Sequence, residues 1–515
     1  MAERITLRNR ASGLLLHPTS LPGPHGLGDL GPPAHAFADF LASSGQRWWQ
    51  MLPIGPPDER DSPYGAQSAF AGSPLLISIE RLAEEGLLNP ADASSDPPPG
   101  RADYAAAWRL KEPLLRRAHA AFEARNRPGE QLRFAEFQRA NEGWLPDFAL
   151  FRALKRRHGS AAWTDWPLEL RSREPAALAR AREALAAEMR FEAFLQFQFI
   201  RQWSHLKRRC RERGIGLLGD IPIYIAHESA DVWANPEIFR LDAEGRPEAV
   251  AGVPPDYFNE DGQLWGNPLY RWETLRRRGY DWWIARLRAT FERFDAARLD
   301  HFIGFVNYWE VPGGAPTARE GRWREGPGAD FFEKALAALG PREIIAEDLG
   351  SVTEEVFALR DRFDFPGMRV LQFAFGEGED SVHLPHRHPA RCVVYTGTHD
   401  NETTVGWFHA LRPEARDHFL ETIERERARA PRHLQSEGNE IHWEMIRLAL
   451  GSPADTAILP VQDLLGLGSE ARMNHPGIVE GNWAWRLKEG ALSGEVGGRL
   501  RELTQAAGRC GEGAS

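Results

Sequence analysis

Four acidic side chains follow short apolar segments, at positions from which carboxylates can carry out chemistry. They are Asp220 in GLLGDIPIY, Asp300 in ARLDHF, Glu347 in IIAEDLG and Asp400 in YTGTHDN. A single acid at such a position can be a helix N-cap. Four carboxylates meeting at one edge of a fold would repel one another and destabilise it unless they served a purpose. Paired carboxylates suit cleavage of a glycosidic bond, because one attacks the anomeric carbon and the other protonates the leaving oxygen.

Two basic side chains stand close to these acids in the sequence. Arg298 precedes Asp300 by two residues, so both side chains point to the same side of a strand. A neighbouring guanidinium favours the ionised carboxylate that a nucleophile needs. His399, next to Asp400, can donate a hydrogen bond to a substrate hydroxyl.

Eight short apolar segments have the character of strands and must position these residues. They are residues 13–16, 48–54, 215–225, 296–302, 343–346, 369–374, 392–396 and 456–461. Helical patterns separate the later segments, at residues 331–339, 353–361, 413–427 and 439–450. This alternation is typical of a parallel sheet, and eight repeats favour a closed (β/α)8 barrel over an open, doubly wound sheet. The carboxyl ends of barrel strands surround the active site, so we expect the four acids to meet there.

Two segments are too long to be simple crossovers between strands, namely 60–205 and 226–290. The first contains a loop rich in Pro, Ser and Asp at 89–101 and several helical patterns, one of them at 191–213. We interpret both segments as largely helical subdomains inserted after strands 2 and 3 of one catalytic domain spanning 1–515. The pattern after the eighth strand is helical, at 491–507, which predicts that no C-terminal β-domain follows.

Two motifs could indicate other chemistry. GLGDLG at 26–31 matches G-x-G-x-x-G, but about nine residues separate it from the preceding strand, and no acidic residue follows at the spacing of a dinucleotide site. The prolines after it favour a turn and a helix start. His383, His386 and His388 in HLPHRH could form a metal cluster, although histidines in such a loop are more often surface hydrogen-bonding groups. We therefore predict no metal and no cofactor.

Composition excludes several classes of protein. The net charge is −10, a poor match for a nucleic-acid backbone, and the basic segment KRRCRER at 207–213 is interpreted as a solvated helix end. The three cysteines, Cys210, Cys392 and Cys510, form no CxxC pair. Apolar runs of about five residues are too short for a membrane helix, and the N-terminal apolar patch is too short for a secretory signal, so we expect a cytoplasmic protein. The 18 tryptophans are a weak indication of sugar stacking. The sequence does not indicate an oligomeric state.

The segments RLDHFIG, IIAEDLG and YTGTHDN, in that order, resemble the active-site segments of the 4-α-glucanotransferases, also called amylomaltases or disproportionating enzymes, which are family 77 of the glycoside hydrolases. Further matching segments are HPTSLPGPHGLGDLG, DSPYGAQSAFAGSPLLI, LGDIPIYIAHESADVWANPEIF, GVPPDYFNEDGQLWGNPLY, GRWREGPG and LGLGSEARMNHPGIVEGNW. The resemblance covers nearly the whole chain. It implies an α-amylase-like barrel that uses α-1,4-glucans and maltooligosaccharides as donors and acceptors and needs no cofactor.

The resemblance also implies roles for single residues. Asp300 would be the nucleophile, Glu347 the acid/base and Asp400 the transition-state stabiliser. The residues expected to hold the sugar in the cleaved subsite are Arg298, His399, Tyr64, which would stack on it, and Asp220. Asn474 would line the sugar site on the far side. Trp265 would belong to a mobile loop over the acceptor groove, with a core tryptophan as the alternative.

The sequence departs from the family at Ile303, where Arg is usual, and at Ile478, where Thr is usual. Neither is a catalytic carboxylate, so we expect chain-length preference rather than the reaction to be affected. Two other functions stay open at this point. One is an α-1,4-glucan hydrolase built on the same barrel and carboxylates, and the other is a catalytically silent glucan-binding protein.

Overall fold

Eight parallel strands form the central sheet of the computed structural model, which describes residues 5–94, 100–255, 259–375, 381–429, 440–478 and 480–510. The strands in these ranges are β1 (Ala11–Leu15), β2 (Trp48–Gln50), β3 (Gly216–Ile221), β4 (Ala249–Val253), β5 (Gln263–Pro268), β6 (Ala296–Leu299), β7 (Asn307–Pro312), β8 (Arg322–Glu325), β9 (Glu343–Ala346), β10 (Gly367–Val370), β11 (Cys392–Tyr395) and β12 (Thr456–Pro460). The order in the parallel sheet is β10-β11-β12-β1-β2-β3-β6-β9. The Ala346 N–H at the end of β9 donates to the Pro366 carbonyl just before β10 at 2.9 Å, which joins the two edges of the sheet. The predicted (β/α)8 barrel is confirmed.

Helices surround the barrel and fill the insertions. In the described ranges they are α1 (Pro32–Ser43), α2 (Ile79–Glu84), α3 (Tyr104–Arg125), α4 (Pro128–Ala140), α5 (Leu145–Arg157), α6 (Leu168–Arg171), α7 (Pro175–Ala184), α8 (Ala186–Glu212), α9 (Ala230–Ala234), α10 (Trp272–Arg277), α11 (Asp281–Arg293), α12 (Gly328–Leu339), α13 (Glu354–Arg362), α14 (Thr404–Ala410), α15 (Pro413–Arg429), α16 (Ile441–Gly451), α17 (Val461–Leu464) and α18 (Gly494–Ala506). None of these helices is both long and apolar enough to cross a membrane.

Each predicted strand segment overlaps one barrel strand, but several predictions extend too far toward the rim. The segment 48–54 is an example, because β2 ends at Gln50 while residues 51–54 continue as a buried loop. Buried residues therefore continue beyond the last strand–strand hydrogen bond, so an apolar run in the sequence does not mark the end of the strand. The helical predictions overlap α12, α13, α15, α16, α8 and α18, with residue 439 outside the described ranges.

A second, antiparallel sheet lies outside the barrel, in the order β5-β4-β7-β8. Its strands β4 and β5 come from the insertion 226–290, and β7 and β8 follow barrel strand β6. The sequence analysis does not predict this sheet. The segment 60–205 is helical in its described part, and its last helix, α8, is also the crossover that leads into β3. No strand follows β12 in the described residues.

Motifs set aside in the sequence have structural roles. The GLGDLG segment ends at Gly31, the N-cap of α1, with Pro32 in the first turn. The basic end of α8 pairs with acidic neighbours: Arg209 lies 2.9 Å from Asp39, and Lys207 lies 3.6 Å from Asp295. The GLGDLG segment thus has the role that the sequence predicted, whereas the basic end of α8 ends the helix but is paired with acids rather than only solvated.

A buried ion pair joins the first insertion to the barrel loops. Lys111 on α3 has no exposed side-chain surface, and its ammonium group lies 2.7 Å from Asp29 Oδ2. It also donates to the carbonyls of Leu75 at 2.7 Å and Ile77 at 3.0 Å. The ammonium group thus connects helix α3 to the start of the same insertion and to the loop after β1. Removing it would leave the Asp29 carboxylate buried without its charge partner.

We expect Lys111→Met to lower the free energy of unfolding by about 3–5 kcal/mol, because the buried Asp29 carboxylate then has no charge partner. The double variant Asp29→Asn/Lys111→Met, which removes both charges, should recover a large part of that loss. Urea denaturation of the three proteins measures the difference. Equal losses in the single and double variants would show that the ion pair itself does not cause the effect.

Candidate active site

The functional side chains predicted from the sequence lie at the carboxyl ends of the barrel strands. Asp220 lies on β3 and Arg298 on β6, directly across from each other in the strand register. Asp300 and Glu347 follow the ends of β6 and β9. Tyr64, His399, Asp400 and Asn474 lie in the loops after β2, β11 and β12.

Arg298 bridges the carboxylates of Asp220 and Asp300. Its Nη1 lies 2.7 Å from Asp220 Oδ2 and its Nη2 lies 2.8 Å from Asp300 Oδ1. The arginine side chain is 6% exposed and that of Asp220 is fully buried. Burial alone would lower the pKa of Arg298, but the two carboxylates hold it well above its usual value. Asp300 therefore has a permanent cationic partner on one oxygen, while its side chain is 28% exposed toward the site.

Glu347 is held in a different environment from Asp300. Its Oε2 accepts a hydrogen bond from the His301 backbone N–H at 2.7 Å, and its Oε1 accepts one from the Leu349 N–H at 3.3 Å. Burial is the main cause that raises the pKa of Glu347 to about 8, and the nearby Asp300 charge adds to it, whereas Arg298 and the His301 N–H act in the opposite direction. At neutral pH this carboxyl group is protonated and can act as a general acid.

Asp400 is oriented by two polar side chains. Its Oδ1 accepts a hydrogen bond from Asn474 Nδ2 at 2.6 Å, and its Oδ2 lies 3.4 Å from His399 Nε2. Arg472 donates to the backbone carbonyls of Asp400 at 2.9 Å and Asn474 at 2.8 Å. The sequence analysis did not single out Arg472, because its contacts, which include the Glu402 side chain at 3.4 Å, are formed only when the loops fold together.

An aromatic cluster forms one wall of the site. The Tyr64 ring stacks on the His399 ring with centroids 5.2 Å apart and planes 16° apart, and its hydroxyl donates to Asp220 Oδ2 at 2.7 Å. Trp483 lies 5.7 Å from Tyr64 and 6.0 Å from His399. Trp483 was also missed as a site residue, although it is the tryptophan of the segment EGNW.

A small pocket lies beside His399. Its walls include His17, Ser20, Thr398 and Trp485. Burial, with a smaller effect of His399, lowers the pKa of His17 to about 3, so this imidazole is neutral at physiological pH.

Trp265 lies on β5, at the surface rather than in the core, with 37% of its area exposed. Its indole meets the His301 ring edge-on at 4.8 Å, and the backbone N–H of His301 in turn donates to Glu347. Residues 256–258 of the same segment lie outside the described residues. The two departures from the family differ in setting, since Ile303 is buried and Ile478 is 57% exposed.

The three histidines of HLPHRH bind to separate protein groups. His383 Nδ1 accepts a hydrogen bond from the Val370 N–H at 3.2 Å, His386 pairs with Glu426 at 2.8 Å, and His388 bonds to the His383 carbonyl at 2.9 Å. Across the described ranges, no group of three or more His, Cys, Asp or Glu side chains is arranged to hold a metal ion.

The barrel and its rim define a class of enzyme. Two carboxyl groups in contrasting environments, one beside a guanidinium and one kept protonated by burial, are the kind of pair that enzymes acting on glycosidic bonds use. The family model described as 4-alpha-glucanotransferase matches residues 16–492. The chain therefore belongs to the 4-alpha-glucanotransferase family, as its sequence segments indicated.

Individual relatives agree with this assignment. The chain is 51% identical to the 4-alpha-glucanotransferase of Thermus thermophilus over 97% of this chain and 99% of the relative. It is 48% identical to that of Synechocystis over 98% and 99% of the two chains. Among solved structures, the amylomaltase from Streptococcus agalactiae in complex with acarbose matches with a TM-score of 0.91 and 37% identity, over 97% of this chain and all of the other.

The raised pKa of Glu347 predicts a specific pH dependence of stability. The folded chain keeps this proton up to about pH 8, whereas the unfolded chain loses it near 4.5, so ionisation of the unfolded state lowers stability as the pH rises between these values. Glu347→Gln removes the titration. We expect its melting temperature to rise relative to the unsubstituted enzyme as the pH goes from 5 to 8.

Calorimetry at several pH values measures this difference, with the exposed Glu325→Gln as the control that should show no such trend. A difference for Glu347→Gln that is constant over this pH range would show that Glu347 is not held protonated.

Proposed function

We propose that the chain transfers a segment of an α-1,4-glucan to the 4-hydroxyl of another glucose or glucan by double displacement with net retention. The observation that carries the proposal is the contrast between Asp300, paired with Arg298, and Glu347, kept protonated by burial. Both lie at the rim of a barrel whose family is the 4-alpha-glucanotransferases. α-1,4-Glucans and maltooligosaccharides are the proposed donors and acceptors.

In the first step, the Asp300 carboxylate attacks the anomeric carbon of the donor. The bond from that carbon to the glycosidic oxygen breaks, and Glu347 delivers its proton to the leaving oxygen. The shortened glucan departs, and the remaining segment is bound to Asp300 as an ester. Arg298 holds the nucleophile in place through its 2.8 Å contact, which leaves the other Asp300 oxygen free to attack.

The remaining polar groups support the positively charged transition state. Asp400, held by Asn474 and next to His399, offers a negative charge and hydrogen-bond acceptors to the sugar. Tyr64 supplies an aromatic face for stacking, and its hydroxyl is fixed by Asp220. We assign these five residues and Arg298 to the subsite of the cleaved sugar.

In the second step, Glu347 acts as a base. It takes the proton of the acceptor 4-hydroxyl, whose oxygen attacks the anomeric carbon and displaces Asp300. A new α-1,4 bond forms, and both carboxyl groups return to their starting states. The cycle needs no cofactor, because every proton and bond is accounted for by donor, acceptor and protein.

Transfer must compete with hydrolysis at the covalent intermediate. We assign the insertion 226–290 to a covering element over the acceptor side, with Trp265 as the residue that binds the acceptor. Its exposed indole, which contacts the ring of His301 next to Asp300 in the chain, supports this role, because a sugar stacked there would help to exclude water from the site. The hydrolase alternative uses the same carboxylates and is separated from transfer by the products. The cytoplasmic location expected from the sequence stays a prediction.

With maltotriose as the substrate, we expect glucose together with maltopentaose and longer chains, and almost no increase in reducing ends. Asp300→Asn should abolish turnover, because the amide is nearly isosteric with the carboxylate but cannot attack the anomeric carbon. Product chromatography and a reducing-end assay measure both. Reducing ends that rise in step with glucose would identify a hydrolase, and comparable transfer by folded Asp300→Asn would place the nucleophile elsewhere.

Trp265→Ala should lower the ratio of transfer to hydrolysis by about threefold to tenfold, the value of one aromatic stacking contact. Trp323, which is 46% exposed and contacts Trp309, offers a matched control. Trp323→Ala should leave the ratio unchanged. If Trp265→Ala also leaves it unchanged, the indole does not hold the acceptor.

A further inference from the structure

His301 has a backbone conformation that is uncommon for a residue with a side chain. Its φ and ψ are both 52°, in the left-handed region. Non-glycine residues rarely adopt this region, because the Cβ comes close to the following carbonyl oxygen, although His, Asn and Asp tolerate it better than most. The residue lies directly after Asp300 and before the short helical turn Phe302–Phe305.

This conformation directs two successive N–H groups at one residue. The His301 N–H donates to the Glu347 carboxylate at 2.7 Å, and the Phe302 N–H donates to the Glu347 backbone carbonyl at 3.1 Å. Successive backbone N–H groups converge in this way when a left-handed residue turns the chain. The turn therefore holds both the main chain and the side chain of Glu347.

The His301 ring has surroundings of its own. It contacts Trp265 edge-on at 4.8 Å, and it leaves little room at Gly304, where an added Cβ would come within 3.1 Å of the His301 ring. Burial lowers the pKa of the imidazole to about 4, so it is neutral at the pH of the assays described below. The backbone contact with Glu347 does not involve this ring.

We propose that His301 is a positioning residue for Glu347, and that its left-handed backbone presents the N–H that fixes the acid/base carboxyl group. The proposal rests on the function proposed above, in which Glu347 delivers and takes the proton. It also limits which residue types can stand at position 301. The residue there must tolerate a positive φ, and this requirement does not depend on the imidazole.

The direction of the electrostatic effect follows from the groups that face Glu347. These are Arg298, Asp300, Asp348 and the backbone N–H groups of His301 and Leu349. The His301 N–H stabilises the charged form of the carboxyl group, so its loss should raise the pKa of Glu347 further. Activity requires the protonated form in the first step, so the basic limb of the pH profile of kcat/KM should then move to higher pH.

The test compares substitutions that all remove the imidazole but differ in tolerance of a positive φ. His301→Gly adopts the left-handed region freely, His301→Ala less readily, and the β-branched His301→Val least. We expect kcat for His301→Val to be about fivefold to thirtyfold below that of His301→Gly, which corresponds to the cost of the left-handed conformation. His301→Ala should lie between them, and it replaces His301→Val in the comparison if the latter does not fold.

The basic limb of kcat/KM should stay in place in His301→Gly and move to higher pH in His301→Ala and His301→Val. The proposal would be overturned if His301→Gly and His301→Val had equal kcat values and if the basic limb of kcat/KM lay at the same pH in both. It would also be overturned if His301→Gly were as impaired as His301→Val, since the loss would then come from the imidazole.

Total glucose released from maltotriose serves as the rate for this comparison, because transfer and hydrolysis both release it. Products longer than maltotriose are counted separately in the unsubstituted enzyme. If those products are missing, the transferase function fails while the comparison among the variants still decides the role of His301.

Discussion

The contact of Arg298 with Asp220 and Asp300 is the interaction on which the site depends. Removing a guanidinium and a carboxylate from water is costly, and the cost is repaid only when geometry and hydrogen bonding are good. Here the geometry comes from the barrel itself, since β3 and β6 pair in a register that sets Asp220 across from Arg298. The fully buried Asp220 also accepts a hydrogen bond from the Tyr64 hydroxyl, so the same ion pair fixes the aromatic wall of the candidate site. A shift of one residue between these strands would turn the arginine away from Asp220.

The chemistry then arises from a difference between two neighbouring carboxyl groups. Asp300 at the end of β6 faces the guanidinium directly, whereas Glu347 at the end of β9 accepts hydrogen bonds from two backbone N–H groups in a half-buried position. Desolvation favours protonation of Glu347, whereas Asp300 keeps the guanidinium as its charge partner. One group is thereby suited to attack and the other to donate a proton, which is the division of roles that retention requires.

The sequence predicted the parts of this arrangement that depend on local patterns. The eight strand segments, the acids that follow them and the placement of Arg298 beside Asp300 come from apolar runs and from the two-residue period of a strand. Contacts that depend on which strands are neighbours were not predictable in this way, and the pairing of Arg298 with Asp220, 78 residues apart, is the clearest case. Arg472 and Trp483 were missed for the same reason, as was the sheet that joins β4 and β5 to β7 and β8. The conformation of His301 was also hidden, because a positive φ leaves no pattern in the sequence when the residue is not glycine.

The measurement that tests the central claim most directly is the location of the covalently bound sugar. Glu347→Gln lacks the acid/base, so with α-maltosyl fluoride, whose leaving group needs no proton, the sugar should attach to the nucleophile and remain there. Peptide mass mapping of the trapped protein should find maltosyl on Asp300, and adding Arg298→Met should sharply reduce the trapped amount. Attachment to a different residue, or an undiminished yield without Arg298, would contradict the account.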